Sequence, residues 1–418
     1  FDPIEDATFQ VANKNRGWSQ KAREGALKRL STMGMPSRRD EYWKYTNPTE
    51  LLTEKLSVSP VVGLEDANIF SELDALKIVF CDGVFNPDLS DDLAAENIII
   101  SRLEENGDLH WAKNHYGLLE ERAQRPVSRS LAALNTAIAS DGALIHVKGK
   151  VKKPILILGI RNNTAEAILH HVIKVEKDCS ITLLESGPFA KRLNSVMEVF
   201  LDEGASLEHI RAQGRDHDRI AVTHVFADIK ENAKFKSFTL SANGMLTRNE
   251  CVLMLSGDEC AAHVAGASVG DGKSFHHDDT VFITHDAVAC ESRQVFKKVL
   301  RNGATGVFQG KILVKEGAQK TDGYQISQSL LLDEDSQFLA KPELEIYADD
   351  VACSHGSTSG AIDEEALFYL CSRGISKNDA ADMLTLAFLA EAVEEIENDK
   401  IADIIVEKIS AWLSRRRN

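Results

Sequence analysis

Four things are missing from this 418-residue sequence. It has no C-x-x-C pair, no G-x-G-x-x-G fingerprint and no excess of basic residues. It also has no apolar run near the roughly 20 residues that span a bilayer. Each absence excludes a class of function. The formal net charge of −16 removes a nucleic-acid surface, because phosphate binding needs a basic footprint. It disfavours an anionic membrane for the same reason. A basic patch on a protein partner stays compatible with it. The seven cysteines stand singly, and an odd, scattered set reads as reduced thiols in the cytoplasm. The first residues, "FDPIEDATFQ", are acidic and lack an apolar stretch, so they do not read as a signal peptide.

What is present falls into three regions. Residues 1–75 read as helical. "SQKAREGALKRL" spaces Ala22, Ala26, Leu27 and Leu30 near the helical period, and Gly34 and Pro36 stop the run. The rings of Tyr42, Trp43 and Tyr45 in "EYWKYT" are expected to pack this region onto the next one. Residues 76–362 are a succession of short apolar or alternating runs, such as "PILILGI" and "HVIKVEKDCSITLLES", parted by Gly, Asp and Asn. Residues 363–418 return to helix. Asp363 suits an N-cap, Gly374 a stop, and Ser376 with Asp379 a capping box. Ile401, Ile404, Ile405, Ile409, Trp412 and Leu413 form one apolar stripe, and the closing Arg415–Arg417 suits the negative end of a helix dipole.

The middle region also repeats. A small residue after an acidic or Gly/Asn turn recurs at Cys179, Ala205, Ala233, Cys260 and Ala287, at separations of 26, 28, 27 and 27. After residue 290 the phase becomes uneven, with candidates at Ala304 and Ala318. Runs this short cannot bury their own faces, but stacked coils can share one core. The expected fold is therefore mainly β, a parallel β-helix flanked by helical ends. A jelly roll competes less well, since it requires no constant period.

Chemistry concentrates in "EIYADDVACSHGSTSGAI", residues 345–362. On a strand, Cys353 and His355 point to one side with Cβ atoms roughly 6–7 Å apart. Thiolate and imidazole suit zinc, iron or an iron–sulfur cluster, but two donors do not fill a metal's shell. The same pair could be a nucleophile with its base, or an ordinary buried Cys beside a hydrogen-bonded His. "ASVGDGKS", Ala267–Ser274, imitates a phosphate loop but precedes a strand-like stretch where the mechanism needs a helix. "FHHDDTVFITH" supplies His276, His277 and His285, the basis of a rival reading as a β-helical or cupin-like metal enzyme. Adjacent histidines on a strand face opposite ways, which weakens it.

Several long strings are distinctive: "EYWKYT", "FQGKILVKEGAQKTDGYQISQSLLL", "KPELEIYADDVACSHGSTSG" and "ALFYLCSRGISKNDA". They resemble the SufB/SufD family of iron–sulfur cluster assembly proteins. The resemblance covers the whole chain, is densest over about 275–390, and lies nearer the SufD branch. One departure is Ser357, where Ala is expected. The resemblance implies a right-handed parallel β-helix and a non-catalytic scaffold role. It implies a complex with SufB, paired through the β-helix core, and with two copies of the ATPase SufC, docked on the C-terminal helices. His355 and Cys353 would then lie at the SufB interface. There His355 would help hold a nascent cluster, with Cys353 as ligand or neighbour. Phe368, Tyr369 and Arg373 become candidates for contact with SufC. No cofactor is expected to stay on this chain alone, and both a flavin in the complex and a homodimer of the isolated chain are left open.

Overall fold

The computed structural model describes residues 2–13, 17–53, 56, 58–104, 110–163, 166–214 and 216–415. From Leu76 to Gly360 the chain winds between two sheets, one of ten strands and one of nine. After two antiparallel pairings at the front, each strand lies parallel to the strand two places on. Thus Arg192–Leu201 pairs with Ile220–Ile229, and Ser206–Gln213 with Lys234–Ala242. This is the expected parallel β-helix. Alternate residues face inward. Ile181, Leu183, Leu207, Phe235, Val225 and Leu253 stack along the axis into one core.

The corners explain the repeat. Asp178, Gly204, Asn232 and Glu259 adopt positive φ between 56° and 67°, and the next residue turns inward. Those next residues are Cys179, Ala205, Ala233 and Cys260, all buried. A small side chain fits there because it points into the packed axial core at the point where the chain turns. The fifth corner departs from the expected period. It is Cys290, after Ala289 at φ 56°, rather than Ala287. That coil is longer, and Ala287 is also buried in the same core, so its local motif mimics a corner. Ala304 follows Asn302 and Gly303 on the opposite edge of the coil. The uneven phase past residue 290 is thus a second set of corners read with the first.

Both outer faces are covered over most of the length. The helix Gln20–Met33 ends at Gly34, whose φ of 72° breaks the helical run. Its buried Ala26 and Leu30 pack with Leu131, Ala133, Ile220 and Val222 against the nine-stranded sheet. The helix Ser130–Ile138 lies within residues read as strands. All nine of its residues are buried, so it carries no one-sided stripe to betray a helix. On the ten-stranded sheet, Ile401, Ile405, Ile409 and Trp412 pack with Leu156, Ile210, Phe238 and Val269. Asp363 caps Glu364–Ser372 by accepting from the N–H groups of Glu365 and Ala366 at 2.9 and 3.0 Å. Ser376 accepts from the Asp379 N–H at 3.2 Å, and its hydroxyl donates to the Asp379 carboxylate at 2.6 Å. Arg416 and Arg417 of the basic close lie outside the described residues.

Candidate functional site

The coil ends without a cap. Gln337–Ile346 is the terminal strand of the nine-stranded sheet and Val351–Gly360 that of the ten-stranded sheet. Among the described residues each has a strand partner on one side only, Thr305–Val314 and Thr321–Leu331 respectively. No residue in either strand is buried. Two open edges of ten residues each offer free N–H and C=O groups for another chain to pair with.

His355 is exposed in the middle of one of these edges. Cys353 is half-buried and packs beside Ile312, Val314 and Leu344. Their strand faces Gly323 and Gln325 on the preceding coil. Both side chains belong to the inward row, so they sit at the mouth of the coil's interior. A Cβ on Gly323 would lie 3.1 Å from the Cys353 sulfur, so the glycine makes room for it. Burial pushes the Cys353 thiol up, against a lowering backbone hydrogen bond from Gly323. A raised thiol is a poor nucleophile, and no carboxylate pairs with His355 among the described residues. Asp350 sits at the preceding turn, where its backbone N–H donates to the Gln319 side-chain oxygen at 2.9 Å, and among the described residues its carboxylate makes no hydrogen bond or ion pair with His355. The nucleophile-and-base arrangement is therefore not assembled. Beside the pair, hydroxyls bridge the last two coils: Ser327 to Ser357 at 3.1 Å and Ser329 to Ser359 at 2.6 Å.

The rival histidines do not converge. His276 faces outward and meets Thr46 at 3.0 Å. His277 lies inside among Ser268, Lys298 and Asn249, at 2.8–3.1 Å. His285 hydrogen-bonds Ser292 at 2.8 Å. Among the described residues no three His, Cys, Asp or Glu side chains could hold a metal ion together. The phosphate-loop lookalike runs from the strand Ala261–Asp271 through a turn into the strand His276–His285, with no helix to receive an anion.

The outer face of the penultimate strand is clasped by "EYWKYT". Lys341 pairs with Glu41 at 2.6 Å, and the Tyr42 hydroxyl donates to Glu343 at 2.5 Å. Trp43 lies under the Arg248 guanidinium at 4.2 Å, and Thr46 donates to Asp278 at 2.5 Å. Tyr42 and Trp43 do pack the front of the chain onto the coil, as expected, whereas the Tyr45 ring meets Lys44 of its own segment. At the other end, the helix Glu364–Ser372 has no buried residue. Phe368 is 75% exposed and Tyr369 55%, with Arg373 stacked 4.9 Å over Tyr369. Met383 on the next helix is also exposed, which sequence reasoning did not single out. Gln294 and Gln325 were missed as well. Both are buried in the inward row behind His355, and only the register aligns them with it.

These features define a parallel β-helix protein with two open edge strands and an exposed imidazole beside a half-buried thiol at that end. Sequence comparison gives the class its family. The profile described as the SUF system FeS cluster assembly, SufBD core domain matches residues 159–388, and that of the SufBD protein N-terminal region matches 5–157. The chain belongs to the SufBD family. It is 28% identical to the iron–sulfur cluster assembly protein SufD of Escherichia coli, over 93% of this chain and 91% of that protein. The Bacillus subtilis SufD is 24% identical over 96% and 95%, and the Bacillus subtilis SufB 25% over 74% and 67%. A role in iron–sulfur cluster assembly follows from this membership. Among the described residues no helix is long and apolar enough to cross a membrane.

Proposed function

We propose that this chain is a non-catalytic, cytoplasmic scaffold subunit that completes a cluster-assembly site jointly with a SufB partner. The observation that carries the reading is His355, exposed on an edge strand that pairs on one side only. Pairing along the open edges would bring a second chain's donors to His355 and fill the shell that this chain leaves incomplete. Cys353, a raised thiol beside it, would join as a ligand only if a metal displaced its proton. The exposed Phe368, Tyr369 and Arg373 support a docking surface for the ATPase SufC on the C-terminal helices. Movement of those helices on ATP hydrolysis would reach the coil through the apolar face of Ile401–Leu413.

The test is reconstitution. The chain is co-expressed with SufB and SufC, purified without oxygen, and supplied with ferrous iron and sulfide. His355→Ala should leave the complex intact and abolish cluster formation, read as the visible charge-transfer absorption. Parental cluster content in that variant would overturn the reading. Phe368→Ala combined with Tyr369→Ala should release SufC in a pull-down while SufB stays bound.

A further inference from the structure

The inward row behind His355 changes character along the axis. One column reads Leu183, His209, Ser237, Val264, Gln294, Gln325, His355 from coil to coil. The column beside it reads Ile181, Leu207, Phe235, Ala262, Ser292, Gly323, Cys353. The second begins apolar and ends small or polar, while the first alternates apolar and polar members before three polar ones in succession. The earlier polar members have partners: His209 bonds Glu185 at 2.7 Å and Ser237 at 2.9 Å. The later ones differ. Gln294 and Gln325 are each 0% exposed, and neither the nitrogen nor the oxygen of either carboxamide has a hydrogen-bond partner among the described residues. Folding alone disfavours this, because a buried carboxamide without partners loses its water and gains nothing. An isosteric apolar side chain would serve the core better.

The sequence also makes room for the carboxamide. A Cβ on Gly310, across the interior, would lie 2.5 Å from the Gln325 oxygen. The Gln325 side chain therefore crosses to the opposite sheet, at the level of the Cys353 and His355 coil's inner neighbour. Adjacent coils are about 4.8 Å apart, so its two N–H donors lie within a short reach of whatever His355 and Cys353 hold. Sulfide and thiolate sulfurs are acceptors whose cluster is tuned and retained through such N–H donors.

We propose that Gln325, backed by Gln294, is the inner half of the His355 site: its carboxamide donates to the sulfurs of the cluster built at the end of the coil, and serves that ligand rather than the fold. The inference rests on the cluster-site reading above and adds the residues that would hold its inner side. Gln325 and Gln294 are positioning residues here, since they would hold the cluster's sulfurs and not its iron.

The experiment uses the same three-protein complex with ferrous iron and sulfide. Gln325→Met keeps the volume and removes both donors. It should assemble normally and unfold at the parental temperature or above, since an unpaired amide has gone. Its retained cluster should fall roughly tenfold, as loss of a supporting hydrogen bond does at other metal centres. The visible absorption of the remainder should shift. Gln294→Met should show the same sign with a smaller loss, and Gln325→Asn, which keeps the donors, should recover part of it. Parental cluster content and spectrum in Gln325→Met would overturn the proposal. So would a drop in unfolding temperature that accounts for the cluster loss and is not relieved in Gln325→Asn. His355→Ala separates the two levels. Loss there with parental behaviour in Gln325→Met sinks this inference alone, whereas normal assembly in His355→Ala sinks the reading beneath it.

Discussion

The strands Ile220–Ile229 and Val351–Gly360 are both ten residues long and both belong to parallel sheets of one coil. In the first, every residue is buried; in the second, none is. The difference is not in the backbone. Ile220–Ile229 has strand partners on both sides and helices over its outer face. Val351–Gly360 has one strand partner among the described residues. Stability is therefore concentrated in the middle coils, and the last coil is held from behind. A solenoid allows this division, because each coil depends chiefly on its neighbours. The coil with least to lose in stability is the one that carries His355.

The sharpest way to break this comparison is to attack the middle. Arg248 is buried between Glu250 at 2.7 Å and Asp278 at 2.5 Å, stacked over the Trp43 ring. Arg248→Ala leaves two buried carboxylates short of their charge partner and should cost about 3–5 kcal/mol by urea unfolding. A loss under 1 kcal/mol would show that the clasp of "EYWKYT" contributes little. Acid probes the same cluster. Burial pushes the Glu250 carboxyl up, but Arg248, His224 and Arg129 outweigh it and hold it at about 2. Its folded value lies below the unfolded one, so its stabilisation is present above about pH 4.3 and lost as pH falls towards 2. Two units correspond to about 3 kcal/mol. By pH 3 only part of this is lost, so unfolding free energies at pH 6 and pH 3 should differ by about 2 kcal/mol from this group, with a flatter slope in Arg248→Ala.

Matched truncations sharpen the contrast. Leu183→Ala, at a 0% exposed position in the axial core, should cost about 2–5 kcal/mol. Leu344→Ala, half-buried at the open end, should cost about 1 kcal/mol in the isolated chain, since much of that side chain is already wet. With a partner seated on the edge, the second value should rise towards the first. Equal costs in the isolated chain would mean the last coil is not open in solution.

Much of this was legible in the sequence. The small corner residues spelled the coil because they turn into the packed axial core, and the caps at Asp363 and Ser376 work as their spacing implies. Cys353 and His355 stood out as two donors that could not finish a site. Three things were hidden for physical reasons. Ser130–Ile138 is buried on all sides, so it lacks a polar face to mark its period. Cys290 was hidden because the coil before it is three residues longer, chiefly in the strand Ala261–Asp271, which displaced the corner. Gln294 and Gln325 look like surface residues in isolation, and only the coil-to-coil register puts them in one column with His355.

The smallest expected effect is the most informative. His355 is exposed and has no hydrogen-bond or ion-pair partner among the described residues. His355→Ala should therefore change the unfolding free energy of the isolated chain by no more than about 0.5 kcal/mol, the usual range for such a surface position. The same substitution is expected to abolish cluster formation in the complex, so stability and function should come apart at this residue. At Arg248 they should fall together. A loss of more than about 1 kcal/mol on His355→Ala would instead place the imidazole among the groups that hold the last coil in shape. The loss of cluster would then be explained by a distorted edge, and the open end would no longer be a surface kept ready for a second chain.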